Sequence, residues 1–396
     1  MTRTFDIMVA GHVCIDVIPR FPDTGAREIA QILTPGKLVN VGEAMISTGG
    51  PVSNTGINLK TLGASVSFCA RVGSDELGRL TTQLLDQSGN AEGVHQVEGA
   101  GSSYTVVIAP PGIDRIFLHN PGTNDSFGPE DLDPQLIAQC RHFHFGYPPL
   151  MRHMYENEGE ALAEVFRLAK AAGATTSCDM ALPDPESPAG KAPWRQILAR
   201  ILPHVDIYLP SIEETLYMLH PDEFLAMKHE HGGAELIDVI TPARYSDLAD
   251  ECLGLGAKMA ALKSGHRGFY LKTAPALGSL GAAQPGDNAN WTHRELWAPA
   301  WEVPAFGSAT GSGDSSIAGL LAAYLRGLPI ETALRYATCC GWQNVQALDA
   351  VSGIHPWEKT AQFLTHDLPL IDPQIHGEGW QWQNDTQLWH GPADTP

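Results

Sequence analysis

The stretch of sequence that says most about the fold is Ala309-Thr310-Gly311-Ser312-Gly313-Asp314. It follows an apolar stretch and directly precedes an amphipathic helical pattern over residues 317–325. Small residues at the start of a helix let several backbone N–H groups point to one place, where the helix dipole adds partial positive charge. The stretch therefore predicts an anion hole suited to a phosphoryl group.

Asp314 lies inside this predicted anion hole, although a carboxylate repels phosphate. An aspartate is suited to that place if it takes the proton from an attacking hydroxyl. An aspartate that only caps a helix after a glycine turn explains the isolated motif as well. The choice between the two interpretations therefore depends on the rest of the sequence.

The chain outside this stretch alternates short apolar runs with segments of helical periodicity. Such alternation is typical of a mostly parallel sheet covered by helices. Two portions, at about 17–48 and 94–120, fit the alternation poorly and contain short stretches of β-type residues, so they predict a small separate sheet. The apolar runs are those at 7–10, 66–72, 174–179, 205–209 and 259–262.

Composition narrows the classes of protein. The chain has 25 Lys and Arg residues against 45 Asp and Glu residues, a formal net charge of −20, which predicts no nucleic-acid or membrane partner. The N-terminal apolar run is short and interrupted, unlike a signal peptide, and the seven scattered cysteines are typical of reduced core thiols. We therefore expect a cytoplasmic protein.

A second glycine-rich stretch is Gly49-Gly50-Pro51-Val52-Ser53-Asn54-Thr55-Gly56, followed by Leu62-Gly63 and by Val72-Gly73-Ser74-Asp75-Glu76-Leu77-Gly78. With these residues the chain resembles the ribokinase-like (PfkB-type) carbohydrate kinases. Their first signature has a glycine pair, an asparagine four residues after the second glycine, a Leu-Gly and then V-G-x-D-x-x-G. Their second signature matches Gly311–Asp314, with Ser312 in the place of alanine.

The resemblance extends from about residue 6 to about residue 356. It implies a ribokinase-like α/β fold, a central mostly parallel sheet flanked by helices with a small β-sheet lid. The kinase domain would span 1–370, with the lid from about 17–48 and 94–120, and 371–396 would be a Trp-containing C-terminal extension.

The resemblance also implies an activity, the ATP-dependent transfer of a phosphoryl group to a hydroxyl of a sugar or sugar-like molecule, with Asp314 as general base. The lid is a candidate homodimer interface.

Site residues follow from the resemblance one position at a time. The anion hole would be formed by Gly311, Ser312 and Gly313, and Glu214 would hold Mg²⁺ through water. The acceptor substrate would be bound by Asp16, Gly49, Gly50 and Asn54. The nucleotide would be bound by Ser211, Glu214, Lys263, Ser264, Gly265, Gly268, Thr310 and Thr338.

Four positions depart from the family pattern. Ser211 replaces the asparagine that precedes Glu214 in relatives, and Lys263 stands where threonine is common. Thr338 replaces an asparagine near the adenine. Ser308 replaces an aspartate that helps relatives hold a monovalent cation, which argues against a strong potassium site.

Three alternatives stay open at this point. A nucleoside could be the acceptor, since adenosine-type kinases share the signatures. An already phosphorylated sugar could be the acceptor, but the arginines that might bind its phosphate, Arg71, Arg115 and Arg152, are scattered in sequence. Finally, the chain could be a catalytically silent carbohydrate-binding protein that retains the fold.

Overall fold

The computed structural model describes residues 3–113, 115–366, 368–375, 377 and 379–395. Its strands are β1 Phe5–Gly11, β2 Cys14–Pro19, β3 Ala44–Gly49, β4 Val66–Gly73, β5 Asn90–Val97, β6 Tyr104–Ile108, β7 Ile116–Asn120, β8 Cys140–Gly146, β9 Thr175–Asp179, β10 Ile207–Tyr208, β11 Met259–Lys263, β12 Phe269–Thr273, β13 Glu295–Ala298, β14 Gln381–Gln383 and β15 Leu388–His390.

The α-helices are α1 Ile29–Ile32, α2 Pro51–Thr61, α3 Glu76–Ser88, α4 Pro134–Ala138, α5 Arg152–Tyr155, α6 Glu160–Ala171, α7 Trp194–Ile201, α8 Ile212–Leu219, α9 Pro221–Glu230, α10 Pro242–Gly254, α11 Ser312–Leu325, α12 Ile330–Asn344 and α13 Trp357–Phe363. Short 3₁₀ helices cover Gly122–Ser126, Pro129–Asp131, Pro148–Leu150, Glu156–Gly159, Leu202–His204 and Gly265–Arg267.

The large sheet has eleven strands in the order β14-β15-β13-β12-β11-β10-β9-β8-β1-β4-β5. Pairing is parallel from β5 across to β11 and antiparallel from β11 to β14. Alternate residues of β1 point to opposite faces, so Ile7 and Val9 join one apolar cluster while Met8 and Ala10 join the other. Burial on both faces explains the unbroken apolar runs in the sequence and confirms the α/β prediction.

The small sheet has four strands in the order β3-β2-β6-β7. β2 pairs with β3 antiparallel and with β6 parallel, and β6 pairs with β7 antiparallel. The sheet begins at Cys14, slightly before the predicted portion. Residues 94–97, which the sequence assigned to this sheet, lie instead in β5 of the large sheet, because β5 pairs in parallel with β4 from residue 90 onwards.

The C-terminal segment packs on the body of the protein. β15 pairs with β13 of the large sheet, and β14 pairs with β15. The Trp380 ring lies 6.2 Å from Tyr270 and 6.0 Å from Trp297, and Trp382 lies 5.7 Å from Trp389, between ring centroids. The tryptophans of 371–396 therefore extend the large sheet and its apolar layer. Within the described ranges, we find no helix that is long and apolar enough to span a membrane.

Candidate active site

Several polar side chains meet at the carboxyl edge of the parallel strands. β8 is followed by Tyr147, β9 ends at Asp179, and β11 ends at Lys263. Helices α2 and α11 begin at the same edge, and α11 brings Asp314 in its first turn. Because parallel strands place their carboxyl ends together, residues distant in sequence become neighbours here.

Asp314 is 1% exposed and is bound by three side chains. Asn54 Nδ2 donates to Asp314 Oδ2 at 2.9 Å, and Thr55 Oγ1 donates to Oδ1 at 3.4 Å. The Tyr147 hydroxyl lies 3.1 Å from Oδ1 and 3.0 Å from Oδ2. The two glycine-rich stretches of the sequence thus meet directly, through the contact between Asn54 and Asp314.

Opposing effects set the proton affinity of Asp314. Burial raises its pKa above the ordinary value, and this effect outweighs the hydrogen bond from Asn54, the nearby charge of Lys263 and the hydrogen bond from Tyr147, which all lower it. The carboxyl is therefore a stronger base than an exposed aspartate, while its donors fix its orientation.

The start of α11 leaves backbone donors for a bound anion. Gly311 has φ of +74°, and an added Cβ would collide with Ala350, so only glycine fits there. Ser312 N–H donates to the Ala309 carbonyl at 3.2 Å and Ser315 N–H donates to the Gly311 carbonyl at 2.9 Å. The N–H groups of residues 313 and 314 have no acceptor within the helix, so they can bind an anion.

A cavity of ≈ 670 Å³, here called the Asp314 cavity, opens in front of this helix start. One part is apolar and aromatic, with Trp301 and Trp342. The other part is polar and includes Tyr147, which the sequence did not single out. The sequence-predicted residues that line the cavity are Ser211, Glu214, Lys263, Ser264, Gly265, Gly268, Gly311, Ser312, Gly313, Asp314 and Thr338.

Ser211 and Glu214 cap the start of α8. Glu214 Oε2 accepts from Ser211 N–H at 2.6 Å, while Ser211 Oγ accepts from Glu214 N–H at 3.2 Å. This capping box satisfies the helix start locally. Burial raises the pKa of Glu214 despite the opposing charge of Lys263. The carboxylate therefore combines a structural contact with a place on the cavity wall.

A second cavity of ≈ 900 Å³, here called the small-sheet cavity, lies between the small sheet and the body. Asp16 lines it, and an added Cβ on Gly49 would lie 2.5 Å from Asp16 Oδ2, so the glycine makes room for this carboxylate. Thr310 lines this cavity too and does not line the Asp314 cavity. The two cavities share Phe306 and Ala309.

Arginines also line the small-sheet cavity. Arg115, just before β7, donates to Ser308 Oγ at 2.9 Å and to Thr310 Oγ1. Arg20, directly after β2, lines the same cavity. The small sheet is thus joined to the loop before α11 by Arg115.

Some site residues were missed from the sequence. Tyr147 has φ of +62°, which is rare for a residue other than glycine. Its hydroxyl bonds the Asp314 carboxylate. Asp179 is fully buried and bonds Lys263. The signal for Asp179 was its position at the end of an apolar run, whereas Tyr147 follows a strand that the apolar runs did not show. His12 Nε2 lies 3.4 Å from Nε2 of His119 in the small sheet, a contact that no local pattern predicts.

A buried carboxylate beside the open start of a helix, with a small sheet over a second cavity, is an arrangement that suits a phosphotransferase acting on a small hydroxyl compound. The family model of the pfkB family carbohydrate kinases matches residues 4–357. The chain belongs to this family and is an ATP-dependent carbohydrate kinase.

Individual relatives agree with the family. An ATP-dependent ribose-1-phosphate kinase of Halopiger xanaduensis is 25% identical over 344 residues, covering 85% of this chain and 90% of that protein. Fructokinase-2 of Solanum lycopersicum is 28% identical over 194 residues, which cover 48% of this chain and 55% of that protein. The structure of Arabidopsis thaliana ribokinase complexed with ribose and ATP has a TM-score of 0.68 and 17% identity, covering 93% and 100% of the two chains.

Proposed function

We propose that the chain transfers the γ-phosphoryl group of ATP to a hydroxyl of a sugar or sugar-like molecule, with Asp314 as the general base. The bond from the γ-phosphorus to the bridging oxygen of ADP breaks, and a bond to the acceptor oxygen forms. The acceptor proton goes to Asp314, while the N–H groups of residues 313 and 314 stabilise the negative charge of the transferring group.

The observation that carries this proposal is the position of the Asp314 carboxylate. It lies in the first turn of α11 and on a cavity wall, held by Asn54, Thr55 and Tyr147. A base beside an anion hole needs this arrangement, whereas a helix cap needs only its own backbone. The raised pKa also brings the carboxyl closer to the pH at which it must accept a proton.

The Asp314 cavity suits a magnesium–nucleotide complex. The apolar part, with Trp301 and Trp342, can hold the base, and the polar part faces the helix start. Ser264, Gly265, Gly268 and Thr338 line the same cavity. Its excess of carboxylates favours a divalent cation alongside the phosphates, and Glu214 would hold that cation through water. Bound Mg²⁺ would neutralise phosphate charge.

The acceptor would lie on the small-sheet side. Asn54 lines neither of the two cavities, but its Oδ1 is buried and has no hydrogen-bond partner among the described residues, so it would accept from an acceptor hydroxyl. Asp16 would accept from another hydroxyl, and Gly49 and Gly50 would allow the acceptor to approach the backbone. With these roles, the acceptor would lie between the small sheet and Asp314.

A phosphorylated sugar is a second candidate acceptor. The relative from Halopiger xanaduensis is named a ribose-1-phosphate kinase, and the match covers 90% of its length. Arg20 and Arg115 line the small-sheet cavity, where they can bind an acceptor phosphate. Arg71 and Arg152 form ion pairs elsewhere, with Asp131 and with Glu156.

The test is acceptor-dependent ADP formation by the purified protein with Mg²⁺ and ATP. The panel contains neutral pentoses and hexoses, sugar acids, sugar 1-phosphates and nucleosides, with an acceptor-free reaction as control. We expect one carbohydrate class to raise ADP formation well above the control. A nucleoside-only response would correct the acceptor class, and no response to any hydroxyl compound would favour a silent binding protein.

We also propose that the small sheet mediates homodimerisation. Its edge strand β7 carries Ile116, Phe117 and Leu118, which are 37%, 51% and 54% exposed, and Ile46 of β3 is 48% exposed. Consecutive exposed apolar residues on a sheet edge are typical of an interaction surface. Sedimentation velocity of the wild type and of Phe117→Lys tests this: a dimer that dissociates in the variant supports it, and a wild-type monomer contradicts it.

A further inference from the structure

Lys263 extends from the end of β11 toward the first turn of α11. An added Cβ on Gly313 would lie 3.2 Å from Lys263 Cδ and 3.6 Å from its Nζ. Lys263, Gly313 and Asp314 all line the Asp314 cavity. The ammonium group therefore lies beside the backbone N–H groups that can bind an anion.

Asp179 holds the ammonium group in this place. Lys263 Nζ donates to Asp179 Oδ1 at 2.5 Å, and Met180 N–H donates to the same oxygen at 2.8 Å. Asp179 is fully buried, and its Oδ2 has no hydrogen-bond partner among the described residues. A buried carboxylate with an unpaired oxygen destabilises a fold. Because Asp179 holds the lysine that lines the Asp314 cavity, this unpaired oxygen points to a role in function.

The charge balance of the cavity adds a second argument. Among its described lining residues, Lys263 is the only lysine or arginine, against Glu213, Glu214, Glu235 and Asp314. Burial lowers the pKa of Lys263, but the carboxylates of Asp179 and Glu214 outweigh burial and raise it, so the ammonium stays charged at neutral pH. Lys263 is therefore the side-chain cation of this wall that can offset the charge of a nucleoside triphosphate.

We propose that Lys263 is a catalytic residue whose ammonium group contacts the transferring phosphoryl group, with Asp179 as its positioning residue. This inference rests on the proposed function. As the bond to ADP breaks and the bond to the acceptor oxygen forms, negative charge on the phosphoryl oxygens is met by Lys263 and by the N–H groups of residues 313 and 314. Lys263 keeps its proton throughout, since Asp314 takes the proton of the acceptor.

The experiment separates this role from that of a structural ion pair. We would compare Lys263→Gln with the double variant Lys263→Gln/Asp179→Asn, which removes both charges of the pair, so that Asp179 is not left as a buried unpaired charge. Lys170→Gln serves as the matched control, because Lys170 pairs with the buried Asp206 at 2.8 Å and does not line the cavity. The measurements are kcat, KM for ATP and the thermal unfolding midpoint of each protein.

Lys263→Gln should lower kcat by roughly 10²–10³-fold, the usual loss for one donor to a developing oxyanion. The double variant should regain thermal stability while kcat stays low. Lys170→Gln should lose stability but keep the wild-type kcat while folded. Recovery of kcat to within about threefold of wild type in the double variant would show that Lys263 is only structural, by the logic of a double-mutant comparison.

A binding measurement keeps this test independent of turnover. Calorimetry would compare ADP with the β,γ-imido analogue of ATP, on the wild type and on the double variant. If Lys263 contacts the transferring group, the affinity for the analogue should fall more in the double variant than the affinity for ADP. Equal weakening of both ligands would overturn the role of Lys263. If the double variant loses affinity for the analogue selectively, but the wild type shows no acceptor-dependent turnover, the contact would be supported and the proposed function rejected.

Discussion

A lysine–aspartate pair lies near each end of strand β9, and the two pairs differ. At its start, Asp206 accepts from Lys170 Nζ with both oxygens, at 3.0 and 2.8 Å, and also from the N–H and hydroxyl of Thr176. At its end, Asp179 bonds Lys263 through one oxygen, and its other oxygen has no described partner. The hydrogen bonds of the first pair are satisfied internally, whereas the second pair keeps an unpaired carboxylate oxygen behind the lysine that lines the Asp314 cavity.

The difference indicates that buried charges are less completely paired at the edge of the sheet where the candidate active site lies. Charges buried at the amino end of the sheet must be fully paired, since nothing else will bind them. At the carboxyl end, burial raises the pKa of Asp179 and of Asp314, and both carboxyls face the same lysine. Incomplete hydrogen bonding of the carboxylates near that lysine is expected if bound phosphates and a metal ion complete the charge balance of the site.

The largest expected effect on stability is at the amino end. Lys170→Gln leaves Asp206 buried without its cation, so we expect the free energy of unfolding to fall by about 3 kcal/mol, the lower end of the range for breaking a buried pair. The lower end applies because the Lys170 side chain is 26% exposed. Urea denaturation measures this loss. If Lys170→Gln lowers the free energy of unfolding no more than the same substitution of an exposed lysine, the contrast between the two ends of β9 is wrong.

A smaller effect, on the rate, is expected at the carboxyl end. Tyr147→Phe removes the hydroxyl that donates to Asp314, and we expect kcat to fall by about tenfold, as for a lost hydrogen bond to a charged group. That bond favours the carboxylate and lowers the pKa of Asp314, so its loss raises the pKa. The acidic limb of the pH profile of kcat should therefore move to higher pH.

Thr176→Val is the matched control for Tyr147→Phe, because it removes the hydroxyl that bonds Asp206 at the other end of the strand. It should lower the free energy of unfolding by about 1–3 kcal/mol, since it leaves a buried carboxylate short of one donor. The pH profile of kcat should not change. An acidic limb at the same pH in wild type and Tyr147→Phe would show that Tyr147 does not tune the base.

The sequence predicted the part of this site that is built from local motifs. Gly311–Asp314 and Gly49–Asn54 each have a spacing that fixes a helix start, and their order along the chain indicates the family. The alternation of apolar runs with helical patterns predicted the large sheet. These features are local in sequence, so a single chain is enough to show them.

The remaining residues depend on pairing between distant strands. Asp179 and Lys263 are 84 residues apart, and Tyr147 and Asp314 are 167 apart. The strand order β11-β10-β9 brings Lys263 to Asp179, and the start of α11 at the same edge of the sheet brings Asp314 to Tyr147. Residues 94–97 were assigned to the wrong sheet for the same reason, because a short half-buried strand carries no mark of which sheet it joins.

The central claim is that Asp314 takes the acceptor proton, and the turnover of Asp314→Asn tests it most directly. The amide keeps the shape of the side chain and removes a negative charge beside the phosphates, so ATP binding by calorimetry should be retained. Because an amide cannot accept the proton, acceptor-dependent ADP formation should fall by roughly 10²–10⁴-fold. Equal rates of ADP formation in wild type and Asp314→Asn would contradict the account.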